Sequence, residues 1–143
     1  MRFMILVKAT PDTEAGVPPR SEVIAAMGTF NEQLIEAGIL LAADGLHPSK
    51  NGARIQNKAG QIIVTDGPFA ETKELISGFW MIQVPSYADA LEWAKRVPMY
   101  NGQEIELRKA FEATDFAVDT VTEEHLEKEQ AWRDANQKPI TKD

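Results

Sequence analysis

At 143 residues, 43% hydrophobic and 26% charged, the chain has the length and composition of one globular domain with a modest tail. It contains no cysteine, which excludes disulfide scaffolds, thiolate zinc sites and Cys nucleophiles together and fits a reducing compartment. A formal charge of −7 and a pI near 4.9 argue against a nucleic-acid partner, because an acidic surface repels phosphate.

Phe3 to Val7 is an apolar run bounded by Arg2 and Lys8. Its length and composition predict a buried strand, and the absence of a small-residue cleavage site argues against a secretion signal. No apolar run approaches the roughly 20 residues of a membrane span, so the expected address is cytoplasmic, with no membrane partner. The stretch from Thr10 to Pro19 reads as a loop by its Pro and Gly punctuation. Ser21 is placed to cap a helix whose Val23, Met27, Phe30 and Leu34 fall on one face, and Gly38 ends it.

Ile39 to Ala43 is a second apolar run, closed by Asp44-Gly45. Arg54-Ile55-Gln56 and Gln61 to Val64 flank Asn57-Lys58-Ala59-Gly60, a hairpin signal. Gly78 to Val84 is the next strand, stopped by Pro85. Ser86 and Asp89 resemble a capping box before a helix that carries Ala90, Leu91, Ala94 and Val97 inward. Glu104 to Lys109 alternates charged and apolar residues, the period of a half-exposed strand. Thr120 and Glu123 can cap a further helix reaching about Asn136, in a polar tail where Leu126 and Trp132 form no stripe. The expected division is a domain over 1–112 and an acidic helical extension over 113–143.

Without the hairpin the element order is β-α-β-β-α-β, a ferredoxin-like α+β fold with a hairpin insertion. Two helices on one face leave the other sheet face bare. The expectation is that Ile105 and Leu107, with alternate residues of Phe79 to Val84, lie there and are covered by a second copy, giving a homodimer. Truncation after Phe111 is expected to leave that dimer folded.

The candidate site centres on Thr65 to Glu74, TDGPFAETKE. Asp66-Gly67 asks for a turn with positive φ available, and Pro68 fixes the next φ. A ten-residue connector with four charged side chains is longer than a hairpin needs, and long loops tend to carry sites. Asp66 follows an apolar strand, where partial desolvation would suit a general base; the competing reading is an Asx-turn cap. Phe69, Glu71 and Lys73 are candidate ligand contacts. His47, after a strand end, is the general-base or metal candidate by residue type, though loop histidines are more often plain surface residues. Arg108 shares one face of the last strand with Glu104 and Glu106, a charged wall if that face looks into a cleft. There is no HxH, HExxH, GxGxxG or GxxxxGK[ST] pattern, so no metal site and no nucleotide cofactor is expected.

From Met1 to about Phe111 the chain resembles the YCII-related family, in the branch marked by a DGPF motif. The resemblance rests on Asp66-Gly67-Pro68-Phe69-Ala70-Glu71-Thr72-Lys73-Glu74, Gly78-Phe79, Asp44-Gly45-Leu46, Ala90-Leu91-Glu92-Trp93-Ala94 and Glu104-Ile105-Glu106-Leu107-Arg108. It implies a dimeric α+β barrel. It also implies two functions to weigh: a lyase-like enzyme acting on small aromatic compounds through a His–Asp pair, or a regulatory module linked to sigma-factor signalling. No histidine stands in the first strand or first helix to partner Asp66, and His47 falls where relatives carry Gln. The expected partners are a second copy and a small polar or aromatic ligand.

Overall fold

The computed structural model describes residues 1–116 and 119–142; the expected extension 113–143 therefore includes positions 117, 118 and 143, which lie outside the described residues. The fold is α+β. Strands β1 (Arg2–Lys8), β2 (Leu40–Gly45), β5 (Ile76–Gln83) and β6 (Ile105–Lys109) form a four-stranded sheet in the order β2-β5-β1-β6, with every neighbouring pair antiparallel. Strands β3 (Ala53–Lys58) and β4 (Gln61–Asp66) form a separate two-stranded arm. The helices are α1 (Pro11–Ala15), α2 (Ser21–Glu36), α3 (Tyr87–Ala94) and α4 (Thr120–Asn136).

Period two decides which residues each sheet face receives. Phe3, Ile5 and Val7 of β1 are buried together with Trp80, Ile82 and Val84. They meet Phe30 and Leu34 of α2, and Ala90 and Ala94 of α3. Phe30 and Trp80 pack edge to face at 5.4 Å, and the Trp80 indole donates to Asn31 Oδ1 at 2.6 Å, so its one polar group is satisfied. Removing a large side chain such as these from water contributes about 1.5–3 kcal/mol each.

Four sequence expectations need correction. The Thr10–Pro19 stretch is not all loop: Pro11 opens α1, and Thr10 and Thr13 exchange capping bonds. Ser21 is the first helical residue of α2, whose N-cap is Arg20 without a side-chain bond. Leu91 of α3 is 37% exposed, while Ala90, Ala94 and Val97 are buried as their spacing predicts. The fourth correction matters most. Ile105 pairs with Val7 and Leu107 with Ile5, so both point to the helices and pack on the core. The open face instead carries Met4, Leu6, Phe79 and Met81, all half-buried.

In the tail, α4 begins behind Asp119, whose side chain accepts from the Thr122 N–H. Thr122, Leu126, Gln130, Arg133 and Gln137 are half-buried, a stripe at helical spacing that is mostly polar. Trp132 lies off that stripe and is 60% exposed.

Candidate functional site

The Asp66–Phe69 segment sits at the root of the β3–β4 arm. Gly67 donates to the Gly52 carbonyl at 3.0 Å, and the Gly67–Pro68 peptide is cis. A Cβ on Gly67 would stand 1.8 Å from the Ser49 carbonyl oxygen, so no larger residue fits this approach. Phe69 N–H donates to Ser49 Oγ at 3.0 Å, and that hydroxyl donates to Glu14 Oε2 at 2.5 Å. The Ser49 N–H donates to Glu14 Oε1 at 3.0 Å. The Arg54 guanidinium lies over the Phe69 ring at 4.0 Å. The segment is thus fastened by backbone, hydroxyl and ring to α1 and to the arm. Ser49 and Glu14 hold it, and the sequence reading did not single out either one; their separation of 35 residues left no local signal.

The side chains proposed for chemistry are not gathered there. Asp66, His47, Glu71, Lys73 and Arg108 are exposed, and Phe69 is half-buried under Arg54. Asp66 does not have the desolvated setting expected for it, and its carboxylate makes no hydrogen bond or ion pair among the described residues. Arg108 lies on β6, at the opposite edge of the sheet from β2, which leads into the arm. It pairs with Glu106 at 3.5 Å, and Glu106 lies 4.0 Å from Lys8. Leu6 faces Glu106 across β1 and β6, and Leu6 faces Phe79 across β1 and β5. This trio therefore borders the apolar centre of the open face, with Asp44 opposite Phe79 on the far side. Among the described residues no three His, Asp or Glu side chains come together as a metal-binding group.

One end of the open face is covered by the tail. Arg2 is only 8% exposed, the buried charge of this region. Its Nε donates to Glu112 Oε1 at 3.3 Å, Nη1 to Gln137 Oε1 at 2.9 Å and Nη2 to the Phe111 carbonyl at 2.8 Å. The Gln137 amide donates to Met81 Sδ at 3.4 Å. Ile140 N–H then donates to the Leu40 carbonyl at 2.7 Å on the β2 edge, and Lys142 pairs with Glu36 at 2.9 Å. The tail so crosses the sheet end from β6 to β2. Between it and the sheet lies a polar cavity of about 190 Å³, lined by Arg2, Gln83, Gln130, Arg133 and Asp134 among others. A second, largely apolar groove of about 440 Å³ runs between α3 and β6. None of the six residues proposed from sequence lines either cavity.

The two-helix sheet with its arm is matched by the family model of the YCII-related domain over residues 1–114. The chain belongs to the YCII-related family. An uncharacterised protein of Rhizobium meliloti (strain 1021) is 38% identical over 73 residues, which is 51% of this chain and 59% of that protein's length. A solved structure of 5-chloro-2-hydroxyhydroquinone dehydrochlorinase from Burkholderia phenoliruptrix AC1100, in complex with 2,5-dihydroxybenzoquinone, aligns at 15% identity and a TM-score of 0.37, covering 82% of this chain and 100% of that one. No helix among the described residues is long and apolar enough to cross a membrane.

Proposed function

We propose that the protein is a small-molecule-binding module in which two ferredoxin-like protomers, each with a C-terminal extension, set their open sheet faces together as a dimeric α+β barrel. The ligand is a small polar or aromatic compound held between the faces. The observation that carries this reading is the make-up of the open face: Met4, Leu6, Phe79 and Met81 in its centre, with the Lys8–Glu106–Arg108 charges along one side. An apolar floor with a few polar groups at its margin is the usual composition of a ligand site. A half-buried apolar floor of this kind also favours a covering partner.

The lyase-like reading, with Asp66 as general base, is the second one. It needs a titratable partner within hydrogen-bond reach of Asp66, and that partner must come from the second copy, since the first copy brings none to it among the described residues. The test is a thermal-shift screen of phenolic and carboxylate compounds on the wild type, Asp66→Asn and Phe79→Glu. The binding reading expects a stabilising compound that raises the melting point of wild type and Asp66→Asn alike but not of Phe79→Glu. Turnover of such a compound by the wild type and not by Asp66→Asn would replace it with the lyase reading.

A further inference from the structure

We infer that the β3–β4 arm of one copy docks along the free edge of β6 in a second copy, extending that sheet and filling the groove beside α3. The inference rests on the two-copy reading above only in its choice of partner. Two bare surfaces motivate it. Ile55 pairs with Val64, and alternation puts Ile62 on the same side of the arm; these three side chains are 72%, 60% and 62% exposed. A two-stranded ribbon with so much aliphatic surface in water is a docking element. The second surface is β6, which has β1 on one side and, among the described residues, no strand on the other. The Lys8 N–H to Glu104 carbonyl bond and the Ala110 N–H to Arg2 carbonyl bond set the phase of the β1–β6 ladder. That phase turns the backbone groups of Ile105, Leu107 and Lys109 outward. Unpaired edges of this kind accept an added strand.

The surfaces match in chemistry. The groove between α3 and β6 is lined by Tyr87, Leu91, Met99, Ile105 and Leu107, apolar like the arm. The arm carries Arg54 and Lys58 and no acid from Ala53 to Thr65, whereas the whole chain has a formal charge of −7. A basic ribbon is drawn to the acidic body of another copy; Glu104 lies just before the receiving strand, which itself carries Glu106 with Arg108 and Lys109. The topology makes the contact intermolecular. The arm is inserted between β2 and β5, on the β2 side of the sheet, while β6 is the opposite edge, and both surfaces are bare within one protomer. Reciprocal exchange of two arms closes the assembly as a two-fold dimer.

The test begins with the double variant Ile62→Glu, Val64→Glu, compared with the wild type by light scattering after gel filtration. Both side chains point to solvent, so circular dichroism should show an intact fold, while the dimer affinity falls at least about tenfold. The native chain has no cysteine, which permits a second measurement. Ile62→Cys and Met99→Cys proteins are mixed and oxidised, and the disulfide between unlike chains should predominate. A predominant Ile62→Cys homodimer would mean that arms pair with each other and would overturn the inference. So would a double variant that dimerises as the wild type does. If Phe79→Glu abolishes both the dimer and ligand binding while the arm variant changes neither, the chamber stands and arm docking falls. If Phe79→Glu is silent and the arm variant is monomeric, arm docking stands and the chamber falls. A monomeric wild type overturns both and leaves the arm to a different protein.

Discussion

Gly67 shows how a conspicuous residue in a charged turn serves architecture. Its Cα lies against the Ser49 carbonyl so closely that Gly67→Ala must push two backbone segments apart. The expected cost is about 3 kcal/mol, read from the shift in a urea midpoint. Asp66→Asn, by contrast, changes an exposed group that has no hydrogen-bond or ionic partner among the described residues and should move that midpoint by less than about 0.5 kcal/mol. Arg2 is the reverse case. It reads in the sequence as the polar boundary of a strand, yet it is buried and joined to Phe111, Glu112 and Gln137. Replacing it by methionine keeps most of the stem and removes the bonds, so Arg2→Met should cost about 1–3 kcal/mol. No local pattern could reveal this role, because the partner Gln137 is 135 residues away. The positive φ expected at Gly67 is not found there; the Ser49 carbonyl excludes a side chain at that position, and no turn signal could show that.

Helices and strands were more legible than the faces they present. The spacing of Val23, Phe30 and Leu34 found the buried side of α2, and the Ala59-Gly60 turn, with φ of 52° and 86°, found the tip of the arm. Alternation along β6 separated Ile105 and Leu107 from Glu106 and Arg108, but alternation alone does not say which set faces the helices; the register with β1 does. The tail's polar character suggested an accessory, whereas its Glu112 and Gln137 satisfy a buried guanidinium. Truncation after Phe111 is therefore expected to lower stability, not merely to shorten the chain. Its far end closes with Glu36 and Lys142, both exposed. The hydrogen bond and charge of Lys142 hold the Glu36 carboxyl below its ordinary 4.5, and Glu36 holds Lys142 above its ordinary 10.5. The clasp is thus complete between those values. It is lost as pH falls through the lowered Glu36 value, or as pH rises through the raised Lys142 value. In an acid titration the Ile140 amide resonance should stay fixed above pH 4.5 and move below it, whereas in Glu36→Gln it should not follow that step.

For the whole molecule, the order of the strands and the three longer helices was available from punctuation and period, because each is long enough to show its own pattern; the five-residue α1 is too short to do so. The way the faces are covered was not, since it depends on partners distant in sequence or on another chain. One consequence belongs to the charge map. Arg54 and Lys58 project on a ribbon away from a body that is otherwise strongly acidic, with Glu123, Glu124, Glu127 and Glu129 clustered along α4. Such a molecule is an electric dipole, and two of them turn each other into line before they touch. Their encounter rate should drop steeply as added salt shortens the screening length to about 10 Å at 0.1 M, and a stopped-flow mixing series would show the same drop flattened in Lys58→Glu.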